Sequence, residues 1–427
     1  MRRRALVAVC LALLTAALAR AEVSGRVVDD RSGAAIADAI VTVDERAIRT
    51  GADGRFVIEG SPELVRVRAA GYRRTEIAAG PAGAMPLEVR LEPFTPKALY
   101  LSFYGIGNAE LRNAARELIR RSPLNALVID VKGDRGLVAY PSKVALASET
   151  GAQRFITIPD LPALLRTLHE EDIYTIARIV VFKDDPLAGA RPELAVRHRD
   201  GSLFRDREGQ RWIDPTLAEA WDYDLSIAAE AAAAGFDEIQ FDYLRFPDNR
   251  DVQFAEPNTA ANRTRAIDGF LDAARERLAR YNVFLAVDVF GYVCWNRDDT
   301  QIGQSLETIL PRVDYLSPML YPSGFQFGIP GCTNPVAHVA EIVGRSLAQV
   351  RERTRAAPQR IRPWLQAFKD YAFDRREFGP AQIAEQIRAA EAFGSNGWML
   401  WNPRNVYPAD LLQEQPPDRA GAPTPAE

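Results

Sequence analysis

From Ala98 to Trp401 the chain alternates short apolar runs with longer amphipathic stretches, eight times over, and few folds accommodate that rhythm. The runs are Ala98–Ser102, Ala126–Val131, Thr175–Phe182, Glu238–Asp242, Phe284–Val289, Tyr315–Pro318, Arg362–Gln366 and Trp398–Trp401. Most are β-branched or aromatic and bounded by Gly, Pro or Asp, which reads as strand. Helices are predicted between them, among others over Asn108–Arg121, Leu161–Glu171, Leu217–Ala234, Ala261–Arg280, Val336–Arg353 and Ala381–Phe393. Strands alternating with helices form a parallel sheet. Eight such units over about 310 residues suit an α/β fold closed as a (β/α)8 TIM barrel. A doubly wound open sheet is the second architecture. No Gly-rich phosphate loop follows the first strand, which disfavours the nucleotide-binding form of that sheet.

Residues 22–93 have another texture. Short alternating runs lie at Val23–Val28, Ala39–Val43, Arg55–Ile58, Leu64–Arg68 and Leu87–Leu91, with turn residues such as Asp53-Gly54 between them. That pattern predicts a small N-terminal all-β sandwich. The stretches VSGRVVD, AIADAIVTV, TGADGRFVI and VRVRAAGYRR resemble the carboxypeptidase regulatory-like domain, which is usually non-catalytic. Glu92–Pro96 reads as a stiff linker, the barrel is expected over 97–411, and the Pro-, Ala- and Glu-rich tail 412–427 is expected to be disordered.

Residues 1–21 read as a secretory signal. Arg2, Arg3 and Arg4 precede the apolar run Ala5–Leu18, and Ala19-Arg20-Ala21 suits cleavage. The alternative is a membrane anchor, for which the run is short. An exported protein, periplasmic or extracellular, is therefore expected, with no integral membrane segment after cleavage. Losing Arg2, Arg3, Arg4 and Arg20 takes the formal charge from −4 to −8. Such acidity argues against nucleic-acid partners. Cys294 and Cys332 then remain, and an oxidising compartment permits a disulfide between them. Two buried free thiols are the other possibility.

In a barrel of this kind chemistry sits at the C-terminal ends of the strands. Period-two alternation places Gln240 and Asp242 on one side of the fourth strand, with Ile239 and Phe241 on the other. Asp288 ends the fifth strand in phase with Ala286, so Asp242 and Asp288 become neighbouring inward carboxylates. Glycosidic cleavage uses such a pair: one protonates the leaving oxygen, the other attacks the sugar or activates water. Asp242 could instead form a structural ion pair with Arg245. The same alternation puts Asp130 and Lys132 together on the second strand, as substrate contacts or as a buried ion pair. Arg178, Gln240, Arg245, Tyr321, Gln366, Trp401 and Asn402 complete the set of candidate substrate contacts at and just beyond strand ends. Trp212, Trp295, Tyr321, Trp398 and Trp401 offer flat faces for pyranose rings, or ordinary core packing. Residues 197–212, with turns at Asp200-Gly201 and Glu208-Gly209, read as an inserted hairpin that could wall the cleft.

Other chemistries find no support in the sequence. His169, His198 and His338 lack metal-ligand spacing. G-x-S-x-G, Walker and dinucleotide motifs are absent from the sequence. No metal or organic cofactor is implied.

Over the barrel the chain resembles a family first catalogued as a domain of unknown function and assigned to glycoside hydrolysis by similarity. The resemblance rests on NALVIDVKGDRG (125–136), IYTIARIVVFKDDPLA (173–188), PELAV (192–196), AAGFDEIQFDYLRFP (233–247), VDVFGYV (287–293), IGQSLE (302–307), VDYLSPMLYPSGF (313–325), IRPWLQAF (361–368) and GWMLWNPRNVY (397–407). It implies a (β/α)8 fold and action on glycosidic bonds, here of a polysaccharide or envelope glycan. A non-catalytic glycan-binding or scaffolding protein is the alternative. Two departures stand out: Gly324 and Phe325 replace an expected His, and Ala367 replaces an expected Asp.

Overall fold

The computed structural model describes residues 22–60, 62–79 and 85–411. Residues 1–21, expected to be a secretory signal, and 412–427, expected to be a disordered tail, lie outside the described residues. Lys97–Leu101, Ala126–Lys132, Tyr174–Val180, Glu238–Asp242, Phe284–Phe290, Tyr315–Met319, Trp364–Gln366 and Trp398–Trp401 form a closed barrel. Neighbours in sequence are neighbours in the barrel, and every pair is parallel. All eight expected strands are present, with ends displaced by at most a few residues.

The intervening helices follow their end signals. Asp160 caps Leu161–Glu170 by accepting from the Ala163 amide, with Pro162 in the first turn. Ala218–Ala234 and Pro380–Phe393 stop at Gly235 and Gly394, both left-handed. Barrel closure needs one glycine in particular. Gly397 has φ +75°, and a Cβ there would meet the Pro96 carbonyl at 1.7 Å. That carbonyl accepts from the Trp398 amide, seating the eighth strand beside the first.

Strand alternation sorts the core into two layers. Ile239, Phe241, Leu285 and Val287 face the helices, whereas Tyr100, Val128, Ile176, Ala286, Tyr315 and Trp364 fill the lumen. Deep in the lumen Arg362 holds Glu238 in a buried ion pair at 2.7 Å, and Tyr174 donates to the same carboxylate.

The second strand departs from simple alternation. Arg178 pairs with Asp130, but the next residue, Ile179, pairs with Lys132. Val131 is thus an extra residue, a β-bulge, and it turns Lys132 outward. The ammonium is fully buried between Asp184 at 2.7 Å and Asp224 at 2.8 Å, and donates to the Val180 carbonyl. Lys132 therefore does not share a side with Asp130, and the expected substrate contact is corrected to a structural ion cluster.

The N-terminal strands form two sheets. Glu22–Asp29 lies between Arg55–Glu59 and Leu87–Leu91, and Ile40–Val43 and Leu64–Arg68 lie between Arg46–Arg49 and Thr75–Ala78. Val27, Val41, Phe56, Val67 and Leu91 are among the residues packed between them. This sandwich docks on the N-terminal mouth of the barrel. Arg68 reaches Asp314 at 3.2 Å, Arg74 reaches Asp237 at 3.4 Å, and the Gly71 amide donates to the Tyr315 hydroxyl. The segment expected to be a plain linker takes part: Phe94 packs on Tyr174 and its amide donates to the Gly71 carbonyl.

Candidate active site

The ends of the second to eighth strands and their loops line a cleft of about 1370 Å³. Its floor is built around Arg178, in the middle of a strand whose other residues are uncharged. Register places Arg178 between Asp130 on the second strand and Gln240 on the fourth. A guanidinium buried there must be met by carboxylates. Its Nε and Nη2 donate to Asp242 Oδ2 at 2.9 and 2.5 Å, Nη1 to Asp130 Oδ1 at 2.8 Å, and Nη2 to Asp134 Oδ1 at 2.9 Å. Its plane also lies 4.9 Å from the Trp401 ring, which stacks on Tyr100 at 3.9 Å.

Asp242 lines the cleft. Its second oxygen accepts from the amide of Tyr243 at 2.6 Å. Tyr243 has φ +50°, an uncommon conformation for a bulky residue. Arg178, not Arg245, is thus the partner of Asp242, which corrects the expected local pair. Arg245 instead lies against the rings of Trp212 and Tyr243 at 5.0 and 5.1 Å, and still lines the cleft.

Asp288 is the second inward carboxylate. Phe241 pairs with Val287, so Asp242 and Asp288 lie one step further along adjacent strands. Asp288 Oδ1 accepts from the Trp364 indole at 2.7 Å, and Oδ2 has no partner among the described residues. Burial first, and the negative Asp242 second, push its carboxyl well above the usual range. Asp288 is only 1% exposed and, unlike Asp242, is not part of the cleft lining. Burial also raises Asp130 to about 6, in spite of Arg178. Asp130 Oδ2 accepts from the Tyr100 hydroxyl at 2.7 Å.

The other candidates divide. Tyr321, Trp401 and Asn402 line the cleft. Gln240 lies in the lumen, donating to Ser317. Gln366 is committed to the Ser323 hydroxyl and the Phe368 carbonyl, and Asn402 gives its amide to the Ala367 and Val406 carbonyls. Trp212 and Trp398 are buried, and Trp295 is half-buried and donates to Ser346. The hairpin after the third strand is present, with left-handed Gly201 and Gly209 at its turns, and Glu208 from it reaches the cleft. Phe325, where an imidazole was expected, is buried against Tyr292. Asp370 stands three residues beyond Ala367, but it caps its own loop, accepting from Ser323 and the Ala372, Phe373 and Arg375 amides. Those bonds lower its carboxyl to about 2.

The disulfide expected between Cys294 and Cys332 is not formed; both thiols are free and buried. Cys332 is tied into a tight turn with Ile329, and Cys294 ends a short 3-10 turn whose carbonyls accept from Arg353. Burial lifts the Cys294 thiol to about 12. Among the described residues no cluster of His, Cys, Asp and Glu could hold a metal ion.

Sequence reasoning missed Asp134 and the aromatic residues Phe290, Tyr292, Phe327, Phe368 and Tyr371, all in the cleft lining. All but Phe290, the last residue of the fifth strand, lie beyond the strands, where no periodicity marks direction. The partner of Asp242 was legible in principle: a lone Arg inside an apolar strand demands acidic residues on the strands beside it.

A closed parallel barrel with carboxylates at its C-terminal end defines a (β/α)8 protein with its candidate site at the mouth where such barrels carry chemistry. The chain belongs to the family described as "Putative glycosyl hydrolase domain", DUF4015, whose model matches residues 98–407. Residues 22–92 match the carboxypeptidase regulatory-like domain. Among solved structures, a hypothetical protein from Ruminiclostridium thermocellum ATCC 27405 is 38% identical over 45% of this chain and 97% of that one, with TM-score 0.40. The PgaB (BpsB) glycoside hydrolase domain from Bordetella bronchiseptica is 15% identical, covering 76% and 100%, with TM-score 0.51. A beta-galactosidase from the psychrophilic Marinomonas ef1 is 11% identical, covering 71% and 54%, with TM-score 0.50. At those identities the last two speak for the fold. A search of curated proteins returned no match.

Proposed function

We propose that the chain is an exported glycoside hydrolase that cleaves glycosidic bonds of a polysaccharide. The observation that carries this reading is the unequal state of two adjacent carboxyls at the barrel's C-terminal end. Arg178 ion-pairs with Asp242 in the cleft, while burial, and then the neighbouring Asp242, push the Asp288 carboxyl well above its usual range. Two neighbouring carboxyls in unlike surroundings, one paired with a cation and one buried without it, suit the division of labour that glycosidic cleavage requires. Asp242 acts as nucleophile or base, and Asp288 as general acid. Arg178, itself held by Asp130, positions Asp242, and Arg245, Tyr321, Trp401 and Asn402 meet the sugar. Export is supported by the segment 1–21, and no helix among the described residues is long and apolar enough to cross a membrane.

One observation favours a second reading. Asp288 is sealed from the cleft. A barrel that binds glycan without turnover would tolerate that arrangement.

The test is release of reducing ends from envelope glycans and exopolysaccharides by the protein lacking residues 1–21. Turnover by the wild type and a loss on the order of 10³ in Asp242→Asn are expected, with folding and glycan binding retained. Equal activity of the two on a confirmed substrate would falsify the assignment. Binding without released ends establishes the second reading.

A further inference from the structure

The loops after the fifth, sixth and seventh strands carry aromatic rings to the cleft. Phe290 ends the fifth strand and Tyr292 follows it, Phe327 follows the sixth, and Phe368 and Tyr371 the seventh. Folding does not require these rings to be exposed. Phe327 is 91% exposed, Tyr371 47% and Phe290 37%. Leaving a large apolar ring in water forgoes the stabilisation of burial, and a contiguous apolar patch marks a binding surface.

Phe327 is also held in place. The Tyr292 hydroxyl accepts from the Phe327 amide at 2.9 Å and donates to the Gly328 carbonyl at 3.1 Å. Gly328 has φ +68°, and a Cβ there would meet the Cys332 carbonyl at 2.3 Å. Phe325 is buried beneath, edge-on to Tyr292. On the next loop Phe368 and Tyr371 lie parallel, 7° apart, and Tyr321 stands edge-on to Phe368. Burial, with the Asp288 and Asp242 carboxyls nearby, raises the Tyr321 hydroxyl well above its usual range. Two sets of rings, Phe290–Tyr292–Phe327 and Tyr321–Phe368–Tyr371, therefore line the cleft.

We infer that Phe327 and Tyr371 form a stacking platform for sugar rings remote from the scissile bond, so that the ligand is a linear polysaccharide rather than a mono- or disaccharide. This rests on the proposed glycan-cleaving site. Pyranose rings present apolar C–H faces, and flat aromatic side chains match them with little loss of rotamer entropy. The volume agrees, because about 1370 Å³ exceeds the ~300–1,000 Å³ of a site for one small molecule.

The experiment is affinity electrophoresis of the protein lacking residues 1–21 through gels containing chitosan, xylan, mannan or mixed-linkage β-glucan. Wild type, Asp242→Asn, Phe327→Ala, Tyr371→Ala and Phe155→Ala are compared. Phe155 is 58% exposed but lies outside the cleft lining, so it controls for loss of any surface ring. Retardation by at least one polymer is expected for wild type, Asp242→Asn and Phe155→Ala. Phe327→Ala and Tyr371→Ala should each weaken binding about tenfold, with the corresponding monosaccharides failing to compete. Retardation unchanged in both rim variants, or abolished by a monosaccharide, overturns the platform and leaves the hydrolase reading standing. Rim-dependent retardation without released reducing ends upholds the platform and overturns hydrolysis. No retardation by any of the four polymers counts against the platform, while hydrolysis is judged separately by reducing-end release.

Discussion

Arg178 satisfies three carboxylates with one planar fork, and two of them, Asp130 and Asp242, are buried with it. Removing the cation leaves those charges without a counterion in a low-dielectric site. Arg178→Met is therefore expected to destabilise the protein by about 3–5 kcal/mol, read by urea unfolding. Arg178→Lys keeps the charge but cannot span three acceptors, so it should fall between the two. A variant as stable as wild type would show that the cluster adds nothing to folding. The same cluster sets a pH dependence. An acid whose folded value is raised holds its proton after the unfolded chain has released it, so stability falls as pH rises across that window. For Asp130 the window runs from 3.8 to about 6. Asp288 contributes in the same sense, starting from 3.8. Because the charge of Asp242 is one cause of its shift, Asp242→Asn should lower the pH at which Asp288 ionises. The infrared band of the protonated carboxyl follows this directly, and an unmoved band would mean that burial alone acts.

At the scale of elements, alternation in the fourth and fifth strands was enough to place Gln240, Asp242 and Asp288 inward, and the fold repeats that pattern. Alternation failed in the second strand for a definite reason. Inserting Val131 reverses phase, and nothing in VIDVKG announces a bulge. The loops were illegible for a related reason. Period two gives direction inside strands, whereas Phe327 and Asp370 owe theirs to tertiary bonds with Tyr292 and Ser323. The bulge makes its own prediction. Lys132 is the counterion of Asp184 and Asp224, and burial raises Asp224 to about 7 even with that ammonium in contact. Lys132→Met should cost about 3–5 kcal/mol of stability by strand two and its neighbouring helix losing their shared charge pair. A KM shift at unchanged stability would restore the substrate role that alternation alone suggests.

For the whole molecule, the placement of the sandwich matters more than its sequence class. It sits at the end of the barrel opposite the cleft, where Ala70 and Phe94 join the lumen residues. Asp237, Asn282 and Asp314 precede the fourth, fifth and sixth strands, and each meets an arginine of the loop that follows Leu64–Arg68 or of its last residue. Asp314 also accepts from the Leu285 amide, so the contact reaches the barrel's own backbone. Burying such groups commits both partners, because either surface alone would expose apolar residues and leave charges unpaired. The sandwich and barrel are thus expected to unfold in one calorimetric transition. Arg68→Ala combined with Arg74→Ala should lower the stability of that single transition by about 3–6 kcal/mol, given that hydrogen bonds to charged groups are each worth ~1.5–3 kcal/mol. The cleft lies at the far end, so glycan retardation below the melting range should not change. Two separate transitions, with the barrel's own untouched by the double substitution, would mark the sandwich as a detachable module instead.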